Sequence, residues 1–180
     1  MKYMIASDLH GSEFYAKKMI EAYKREKADR IIFLGDILYH GPRNDLPKEY
    51  NPKGCIEILN KYKDDIFSVR GNCEAEVDQM VLKFPVLADY ALLPVGKKNI
   101  FITHGHRFNE SNLPPLKKGD ILLHGHTHIP KCVEHENYIY MNPGSLSIPK
   151  EGSKYSYMTF DEKKFIWKDI SGEEYNSFEL

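Results

Sequence analysis

Short apolar runs and helically spaced apolar positions alternate along the first half of the chain. Residues 3–6 form an apolar run that gives way to polar residues at Ser7, which is typical of a buried strand that ends in a loop. The apolar residues that follow recur at helical spacing and are Tyr15, Met19, Ala22 and Tyr23. Because Ser12 can act as an N-cap just before them, the sequence predicts a strand, a loop and a helix in that order.

The same arrangement returns further along. A second apolar run, residues 31–34, ends at Asp36, and a third, residues 66–69, ends at Asn72. A long polar loop, residues 39–52, follows the second run. Helical spacing then resumes at Cys55, Ile58, Leu59 and Tyr62. The first half of the chain therefore predicts strands that alternate with helices.

The helical signal is weak after about residue 85, where the sequence predicts short strands joined by turns. These strands are residues 100–103, 121–123, 138–141, 155–160 and 165–168. An alternating half followed by a strand-rich half predicts two sheets packed face to face with helices outside. The 180 residues contain no evident linker or repeat, so we expect a single domain spanning residues 1–180.

The amino-acid composition of the chain limits the classes of partner that we expect it to bind. The chain has 25 Lys plus Arg and 26 Asp plus Glu, so no global field favours nucleic acid or an anionic membrane. No apolar run approaches the ~18 to 20 residues of a membrane span, and no signal peptide is predicted. Three widely spaced cysteines, Cys55, Cys73 and Cys132, argue against a disulfide framework and for a reducing compartment. We expect a cytoplasmic protein that binds neither nucleic acid nor membranes.

Side chains that can bind a metal appear repeatedly where a predicted strand ends. They are Asp8, His10, Asp36, Asn72, His104, His126 and His128. The carboxyl ends of strands in an open α/β sheet form the crevice where ligands bind, so these residues can converge. Carboxylate, imidazole and amide ligands together suit Mn, Fe, Zn or Co. Seven ligands predict two divalent ions about 3.5 to 4 Å apart with a shared carboxylate. Asp36 is the predicted bridge, since no other candidate ligand adjoins it.

Most of these motifs have an ordinary explanation when taken alone. An Asp-x-His pair can be a plain loop, and Gly-Asp or Gly-Asn pairs are common in turns. The histidines are a stronger signal, because five of them crowd into residues 104–128, at positions 104, 106, 124, 126 and 128. A buried core histidine normally occurs singly. His126 and His128, two residues apart on an extended segment, would share a face and reach neighbouring ions.

Taken in chain order, five segments resemble the signature of the calcineurin-like metallophosphoesterases. The segments are Asp8-x-His10, Gly35-Asp36, Gly71-Asn72, His104 and Gly125-His126-Thr127-His128. The likeness is closer still to the YfcE-type group of small bacterial and archaeal phosphodiesterases. It extends over Tyr39 to Asn44, Arg70 to Cys73, Thr103 to His106 and Asn142 to Ser145. The resemblance implies an α+β fold, a four-layer α/β/β/α sandwich in which two mixed β-sheets pack face to face with flanking helices.

By this resemblance the protein is a dinuclear metal-dependent phosphodiesterase. One ion would be held by Asp8, His10, Asp36 and His128, and the other by Asp36, Asn72, His104 and His126. The implied metal is Mn²⁺, with Zn²⁺, Fe, Ni²⁺, Co²⁺ or Mg²⁺ as alternatives. A metal-bridging hydroxide would attack phosphorus in line, so no protein nucleophile is needed. The residues implied in catalysis are Asp36, Asn72 and His104. The implied partner is a small-molecule phosphodiester, and the resemblance also favours a homo-oligomer.

Further side chains are candidates for contact with the substrate. Cys73 occupies a position where many members of the superfamily carry a His that can assist the leaving group. A thiol is a poorer general acid than imidazolium, which predicts a preference for good leaving groups unless His40 or His106 supplies the proton. His106 is equally consistent with support of a metal ligand. Arg43 could bind phosphate oxygens or form a surface ion pair. The candidate substrate contacts are His40, Arg43, Asn44 and Asn72.

Two other functions stay open at this stage. The same fold serves as a non-catalytic scaffold in a retromer subunit whose metal site is degenerate, whereas all seven ligand positions are filled here. A phosphomonoesterase of the protein-phosphatase kind is suggested by Arg70-Gly71-Asn72. However, the chain is short for that group, and Cys73 replaces its expected His. The segment from Asn142 to Ser145 is interpreted as a turn in preference to a source of metal ligands.

Overall fold

Eleven strands and three α-helices follow one another along residues 1–180, all of which the computed structural model describes. The first half contains β1 (Tyr3–Ala6), α1 (Glu13–Glu26), β2 (Arg30–Phe33), α2 (Pro52–Leu59), β3 (Ile66–Ser68) and α3 (Glu76–Val81). A 3-10 turn, Asn60–Tyr62, extends α2. The second half contains β4 (Tyr90–Val95), β5 (Lys98–Thr103), β6 (Asp120–Leu123), β7 (Lys131–Glu134), β8 (Tyr138–Asn142), β9 (Ser156–Phe160), β10 (Lys164–Asp169) and β11 (Glu174–Glu179).

The strands form two mixed sheets. The larger sheet has six strands in the order β11-β10-β9-β1-β2-β3, and the smaller has five in the order β4-β5-β6-β8-β7. Strands β1, β2 and β3 run parallel, as do β5, β6 and β8. The other pairs are antiparallel. Each sheet therefore has a parallel block, and ligands bind at the carboxyl ends of such blocks.

The face shared by the two sheets is apolar. Ile5 and Ile32 of the larger sheet lie in one buried cluster with Ile100, Ile121 and Met141 of the smaller. Because successive side chains of a strand point to opposite faces, the neighbours of Ile5 and Ile32 face outward. These outward residues are Met4, Ala6, Ile31 and Phe33, and they pack in a second cluster with residues of α1 and α2. Burial on both faces explains why β1 and β2 read as continuous apolar runs.

The outer face of the smaller sheet is covered by a loop. Phe101, Leu122 and Tyr140 form a small buried cluster there, against which Phe108 and Leu116 of the β5–β6 loop pack. The helices α1 and α2 pack on the larger sheet instead. The α+β fold with two mixed sheets packed face to face is confirmed. Outside the smaller sheet, the β5–β6 loop contributes Phe108 and Leu116 to the outer layer.

The predicted strands and helices are present, with ends that differ by a few residues. Ser12 caps α1 as expected, since its hydroxyl accepts a hydrogen bond from the Tyr15 N–H at 3.2 Å. The sequence does not predict β4, β7 or β11. All three lie at the edge of a sheet and have a single strand partner. β7 and β11 are half-exposed and lack the apolar runs by which the central strands are recognised, whereas the apolar run of β4 is interrupted by Pro94.

Candidate metal centre

The seven candidate ligands lie just beyond the carboxyl ends of parallel strands. Asp8 and His10 follow β1, Asp36 follows β2, Asn72 follows β3, His104 follows β5, and His126 and His128 follow β6. All of them except Asn72 and His126 are buried. The structure brings together every metal ligand that the sequence predicts, although they are spread from position 8 to position 128.

The first group of ligands joins Asp8, His10 and His128. The Nε2 atoms of the two histidines lie 3.2 Å apart, and Asp8 Oδ1 lies 3.3 Å from His128 Nε2 and 3.6 Å from His10 Nε2. Asp8 Oδ1 is buried and has no hydrogen-bond partner. The other oxygen of this carboxylate, Oδ2, accepts hydrogen bonds from the Ser7 hydroxyl and the His126 N–H. The unpartnered oxygen is therefore held facing the two imidazoles, as a metal ligand would be.

Asp36 connects this group to a second one. Its Oδ2 lies 3.7 Å from His10 Nε2 and 3.4 Å from His104 Nε2. His104 Nε2 in turn lies 3.1 Å from Asn72 Oδ1 and 3.2 Å from His126 Nδ1. Asp36 thus lies between the two groups, which is the position expected of a bridging ligand.

Backbone carbonyls fix the orientation of three rings. Nδ1 of His10, His104 and His128 donates to the carbonyls of Tyr39, Leu34 and Ile148 at 2.8, 2.7 and 2.6 Å, respectively. A ring that donates through Nδ1 carries its second proton or its lone pair on Nε2, so a cation that binds the three Nε2 atoms would displace any proton there. Metal-binding histidines are commonly held in this way. The residues present therefore fit divalent cations with nitrogen and oxygen ligands.

The carboxylates and imidazoles shift one another's pKa. Although burial disfavours the cationic ring, the Asp36 carboxylate raises the pKa of His104 to about 9. Burial also opposes ionisation of Asp8, yet His10 and His128 hold the pKa of this carboxyl well below its usual range. Both carboxylates are ionised at neutral pH, since neighbouring imidazoles also lower the pKa of Asp36 against the effect of burial. The centre therefore has the negative charge that attracts cations.

Five of the ligands have a left-handed backbone conformation. They are Asp8, His10, Asp36, His126 and His128, with φ between 51° and 65°. Residues other than glycine rarely adopt this conformation, and each instance costs roughly 1 to 3 kcal/mol. Such strain is concentrated at functional sites, where the surrounding structure holds it in place. Here the sharp turns at the strand ends direct these side chains into one centre.

A buried carboxylate that sequence reasoning missed, Glu74, joins the loops that carry Asp36 and Asn72. It accepts hydrogen bonds from the N–H groups of Asp36, Ile37 and Gly71. Burial and the Asp36 charge raise the pKa of Glu74 to about 7, although the N–H donors oppose the shift. Gly71 allows this close approach, because a Cβ there would collide with Asp36 Oδ1 and lie 2.7 Å from Glu74 Oε2.

Asn142 supports the loop that carries His126 and His128. Its side-chain amide is buried and donates to the Gly125 carbonyl at 2.8 Å and to the Thr127 hydroxyl at 3.1 Å. The segment that begins at Asn142 therefore acts as a supporting turn for this loop.

A polar cleft of about 330 Å³ adjoins the centre. It is lined by Asp36, Arg43, Asn44, Asn72, His126, Thr127, His128 and Lys150, none of which is hydrophobic. Arg43 and Asn44, two of the predicted substrate contacts, therefore reach the cleft. Lys150 is a cleft residue that the sequence analysis missed, because it lies in a loop after β8 and belongs to none of the recognised motifs.

Cys73 lies beside the first group of ligands. Its Sγ is within 4.8 Å of ligand atoms of His10 and Asp36. Its backbone N–H donates to Asp36 Oδ1 at 2.9 Å, which helps to fix the bridging carboxylate. Burial and the nearby Asp36 raise the pKa of the Cys73 thiol, so the sulfur is protonated at neutral pH. This thiol is therefore a poor nucleophile and a weak acid.

The two remaining candidates, His106 and His40, have different surroundings. The His106 ring lies 5.4 Å from that of His104, and burial together with His104 lowers its pKa, so the ring is neutral at pH 7. His40 does not line the cleft. Its ring packs edge-on against Tyr39 and Tyr50, with centroids 4.8 and 5.2 Å away.

The chain is similar to known phosphodiesterases in both sequence and fold. Phosphodiesterase YfcE of Escherichia coli K12 is 44% identical over 161 residues, which cover 89% of this chain and 88% of that protein. Phosphodiesterase MJ0936 of Methanocaldococcus jannaschii is 26% identical over 152 residues, covering 80% and 83%. The structure of YfcE, a phosphoesterase from E. coli, matches with a TM-score of 0.95 at 39% identity and covers 99% of both chains.

A more distant structure shares the fold alone. Vacuolar protein sorting 29 of Cryptosporidium parvum matches with a TM-score of 0.62 at 16% identity, over 99% of this chain and 98% of that one. The family match itself is to the calcineurin-like phosphoesterase superfamily domain and spans residues 1–164. Because that span includes every candidate ligand from Asp8 to His128, the resemblance noted from the motifs is confirmed: the chain belongs to the calcineurin-like phosphoesterase superfamily.

Proposed function

We propose that this protein hydrolyses small-molecule phosphodiesters with two divalent cations. The observation that carries the proposal is the position of Asp36 between His10 and His104, which joins two groups of ligands through one carboxylate. One cation would be held by Asp8, His10, Asp36 and His128, and the other by Asp36, Asn72, His104 and His126. Two relatives are named phosphodiesterases, which supports a diester as the substrate.

The side chains of the cleft bind and orient the ester. When bound, the cations would supply an activated water and neutralise charge on the phosphate. The Arg43 guanidinium lines the cleft and offers paired N–H donors to an anionic group of the substrate. Asn44 is restrained beside it, since its amide donates to the His40 carbonyl at 2.8 Å. Asn72 turns its carbonyl oxygen towards His104 while its amide donates to Cys73 Sγ at 3.3 Å.

The groups near the centre limit the choice of leaving group. The Cys73 thiol has a raised pKa, so it keeps its proton at neutral pH and is a weak acid. The His106 ring has a lowered pKa, so it has no acidic proton to donate at neutral pH. A basic alkoxide would therefore leave without an efficient proton donor. We propose that the enzyme favours esters with good leaving groups, such as aryl phosphodiesters.

We propose Mn²⁺ as the metal, because the mixed oxygen and nitrogen ligands suit it, as they also suit Zn²⁺, Fe and Co²⁺. The three cysteines are free, which supports a reducing compartment such as the cytoplasm. No helix of the structure combines the length and apolar character that crossing a membrane requires. The apolar interface shared by both sheets supports a single domain over residues 1–180. A homo-oligomer stays a prediction.

Metal removal and replacement tests the proposal. The protein is stripped with a chelator, and Mn²⁺, Mg²⁺, Zn²⁺, Ni²⁺ or Co²⁺ is added back singly. Rates are then measured on bis(4-nitrophenyl) phosphate and on 4-nitrophenyl phosphate. We expect Mn²⁺ to restore hydrolysis of the diester, and the Asp36→Asn variant to remain inactive with every metal.

The other outcomes identify the alternatives. Activity restored on the monoester alone would make the protein a phosphomonoesterase. If metal binds but neither ester is hydrolysed, the result would refute the diesterase proposal and favour the alternative of a non-catalytic scaffold.

A further inference from the structure

Two cationic side chains reach the polar cleft without a partner in the chain. Arg43 and Lys150 are exposed, and both line the cleft. Neither takes part in an ion pair, whereas other cations of the chain, such as Lys2, Arg107 and Lys168, do. Unpaired cations that share a cleft attract anions to it.

Lys150 is placed by the same segment that orients His128. The Lys150 N–H donates to the His128 carbonyl at 3.3 Å, and His128 Nδ1 donates to the Ile148 carbonyl at 2.6 Å. The Ser153 hydroxyl donates to the Lys150 carbonyl at 2.6 Å and closes the turn. The backbone of Lys150 is therefore tied to a candidate metal ligand, and Lys150 lines the cleft from that fixed position.

Arg43 enters the cleft from another segment, the loop after β2. Its neighbour Asn44 is bonded to the His40 carbonyl, which restrains the loop. The loop packs against Cys73, since a Cβ added to Gly41 would lie 3.4 Å from Cys73 Sγ. Arg43 thus belongs to a loop that packs against Cys73, and Lys150 to a segment bonded to His128, so two different segments contribute a cation to one cleft.

The charge of the scissile group does not require both cations. A phosphodiester carries one negative charge, and two divalent ions would already exceed the charge of Asp8 and Asp36. The cleft has no hydrophobic lining residue, and its only two rings, His126 and His128, belong to candidate metal ligands, so it offers no apolar surface for an aryl group or a nucleobase. Surplus positive charge in a polar cleft fits an ester that carries a second anionic group.

We propose that Arg43 and Lys150 form a second anion-binding site that determines specificity. The preferred substrate is then a phosphodiester whose retained alcohol bears its own carboxylate or phosphate. This inference rests on the proposed diesterase function.

A matched pair of substrates tests the inference. The 4-nitrophenyl phosphodiesters of glycolate and of glycolamide release the same phenolate and differ in whether the retained alcohol carries a carboxylate or a neutral amide. For the metal-loaded protein at low ionic strength, we expect kcat/KM to be about tenfold higher for the glycolate ester, the size of one charge-assisted hydrogen bond. Lys150→Gln and Arg43→Gln should each reduce this ratio several-fold, and Lys150→Arg should retain it.

Lys97→Gln is the control, because it removes the same charge at a site away from the cleft. Lys97 lies just before β5, whereas His104 lies just after it. A wild-type ratio near one, or a ratio that neither cleft variant changes, would overturn the inference while leaving the diesterase function standing. Absence of hydrolysis of both esters would instead refute the proposed function.

A binding measurement tests for the second anion-binding site without requiring hydrolysis of a substrate. Calorimetry on the metal-loaded protein compares phosphonoacetate, which carries a carboxylate, with methylphosphonate, which does not. We expect phosphonoacetate to bind about tenfold more tightly at low salt, and Lys150→Gln to remove most of that difference. Equal affinities for the two phosphonates in the wild-type protein would contradict the inference.

Discussion

The Nε2 atoms of His10 and His128 lie 3.2 Å apart, although both rings donate their Nδ1 protons to backbone carbonyls. In neutral rings these Nε2 atoms carry lone pairs, and lone pairs at this separation repel each other unless a proton or a cation lies between them. Asp8 Oδ1, buried and unpartnered, faces the same space. The local structure is therefore arranged around positive charge, and Asp36 extends the arrangement to His104.

A bridging role for Asp36 predicts how metal stoichiometry responds to substitution. Asp36→Asn should weaken binding of both metal equivalents by at least about tenfold, whereas His10→Ala should weaken only one. The measurement is metal content after dialysis, together with calorimetric titration of the chelator-treated protein. His135→Ala is the matched control, because this ring pairs with Glu110 at the surface and should not alter the stoichiometry. Loss of a single equivalent in Asp36→Asn would exclude the bridge.

The protonated Cys73 thiol predicts how the enzyme discriminates between leaving groups. Cys73→His would place a stronger acid beside the centre and should raise rates on alkyl phosphodiesters about tenfold or more relative to aryl ones. The test compares kcat/KM for an alkyl and an aryl diester in the wild-type protein and the variant. Cys132→Ser, in the edge strand β7, should leave the selectivity as it is. If Cys73→His has the wild-type selectivity, the thiol does not limit departure of the leaving group.

A buried ion pair far from the cleft predicts a pH-dependent contribution to stability. The Glu26 carboxylate accepts hydrogen bonds from the Tyr157 hydroxyl and from the ammonium groups of Lys2 and Lys168. Although burial opposes ionisation, these partners lower the pKa of Glu26. The unfolded chain has the ordinary value of about 4.3, so the contribution is complete above that pH. It is lost as the pH falls through the lower folded pKa.

Glu26→Gln should therefore lower the free energy of unfolding at pH 7 by about 2 kcal/mol, since it removes the carboxylate that Lys2 and Lys168 share and leaves Lys168 paired only with the exposed Glu174. The difference in the free energy of unfolding between this variant and the wild-type protein should decrease as the pH falls below about 4. Urea unfolding across this range measures both effects. Glu162→Gln removes an exposed pair with the N-terminus and should cost less than about 1 kcal/mol. If this difference in the free energy of unfolding does not change with pH, the charge of Glu26 is not the cause of the destabilisation.

Much of the fold and of the centre could be predicted because its signals are local. The central strands β1 and β2 are buried on both faces and read as apolar runs, and the ligands stand directly at the strand ends. Edge strands such as β11 are half-exposed and give no such pattern. Lys150 could not be found from the sequence, because its relevance depends on how the chain after β8 folds back onto His128.

Glu74 holds the loops of the centre together through tertiary contacts, so its substitution should affect both stability and metal binding. Its Oε1 accepts from the Ile37 N–H, and its Oε2 accepts from the N–H groups of Asp36 and Gly71. In Glu74→Gln, either orientation of the amide sets an NH₂ group against a backbone N–H. The substitution should therefore lower the free energy of unfolding by about 2 to 4 kcal/mol, the cost of unsatisfied buried donors.

The same substitution should also loosen the loops that present Asp36 and Asn72, so metal affinity should fall about tenfold or more, as it does when groups that orient metal ligands are lost. Denaturant unfolding and metal titration are measured on one preparation. The control is Glu76→Gln, an exposed carboxylate two residues along the chain, which should change neither quantity appreciably. Glu74 would have no positioning role if Glu74→Gln destabilised the fold but bound both metals as tightly as Glu76→Gln.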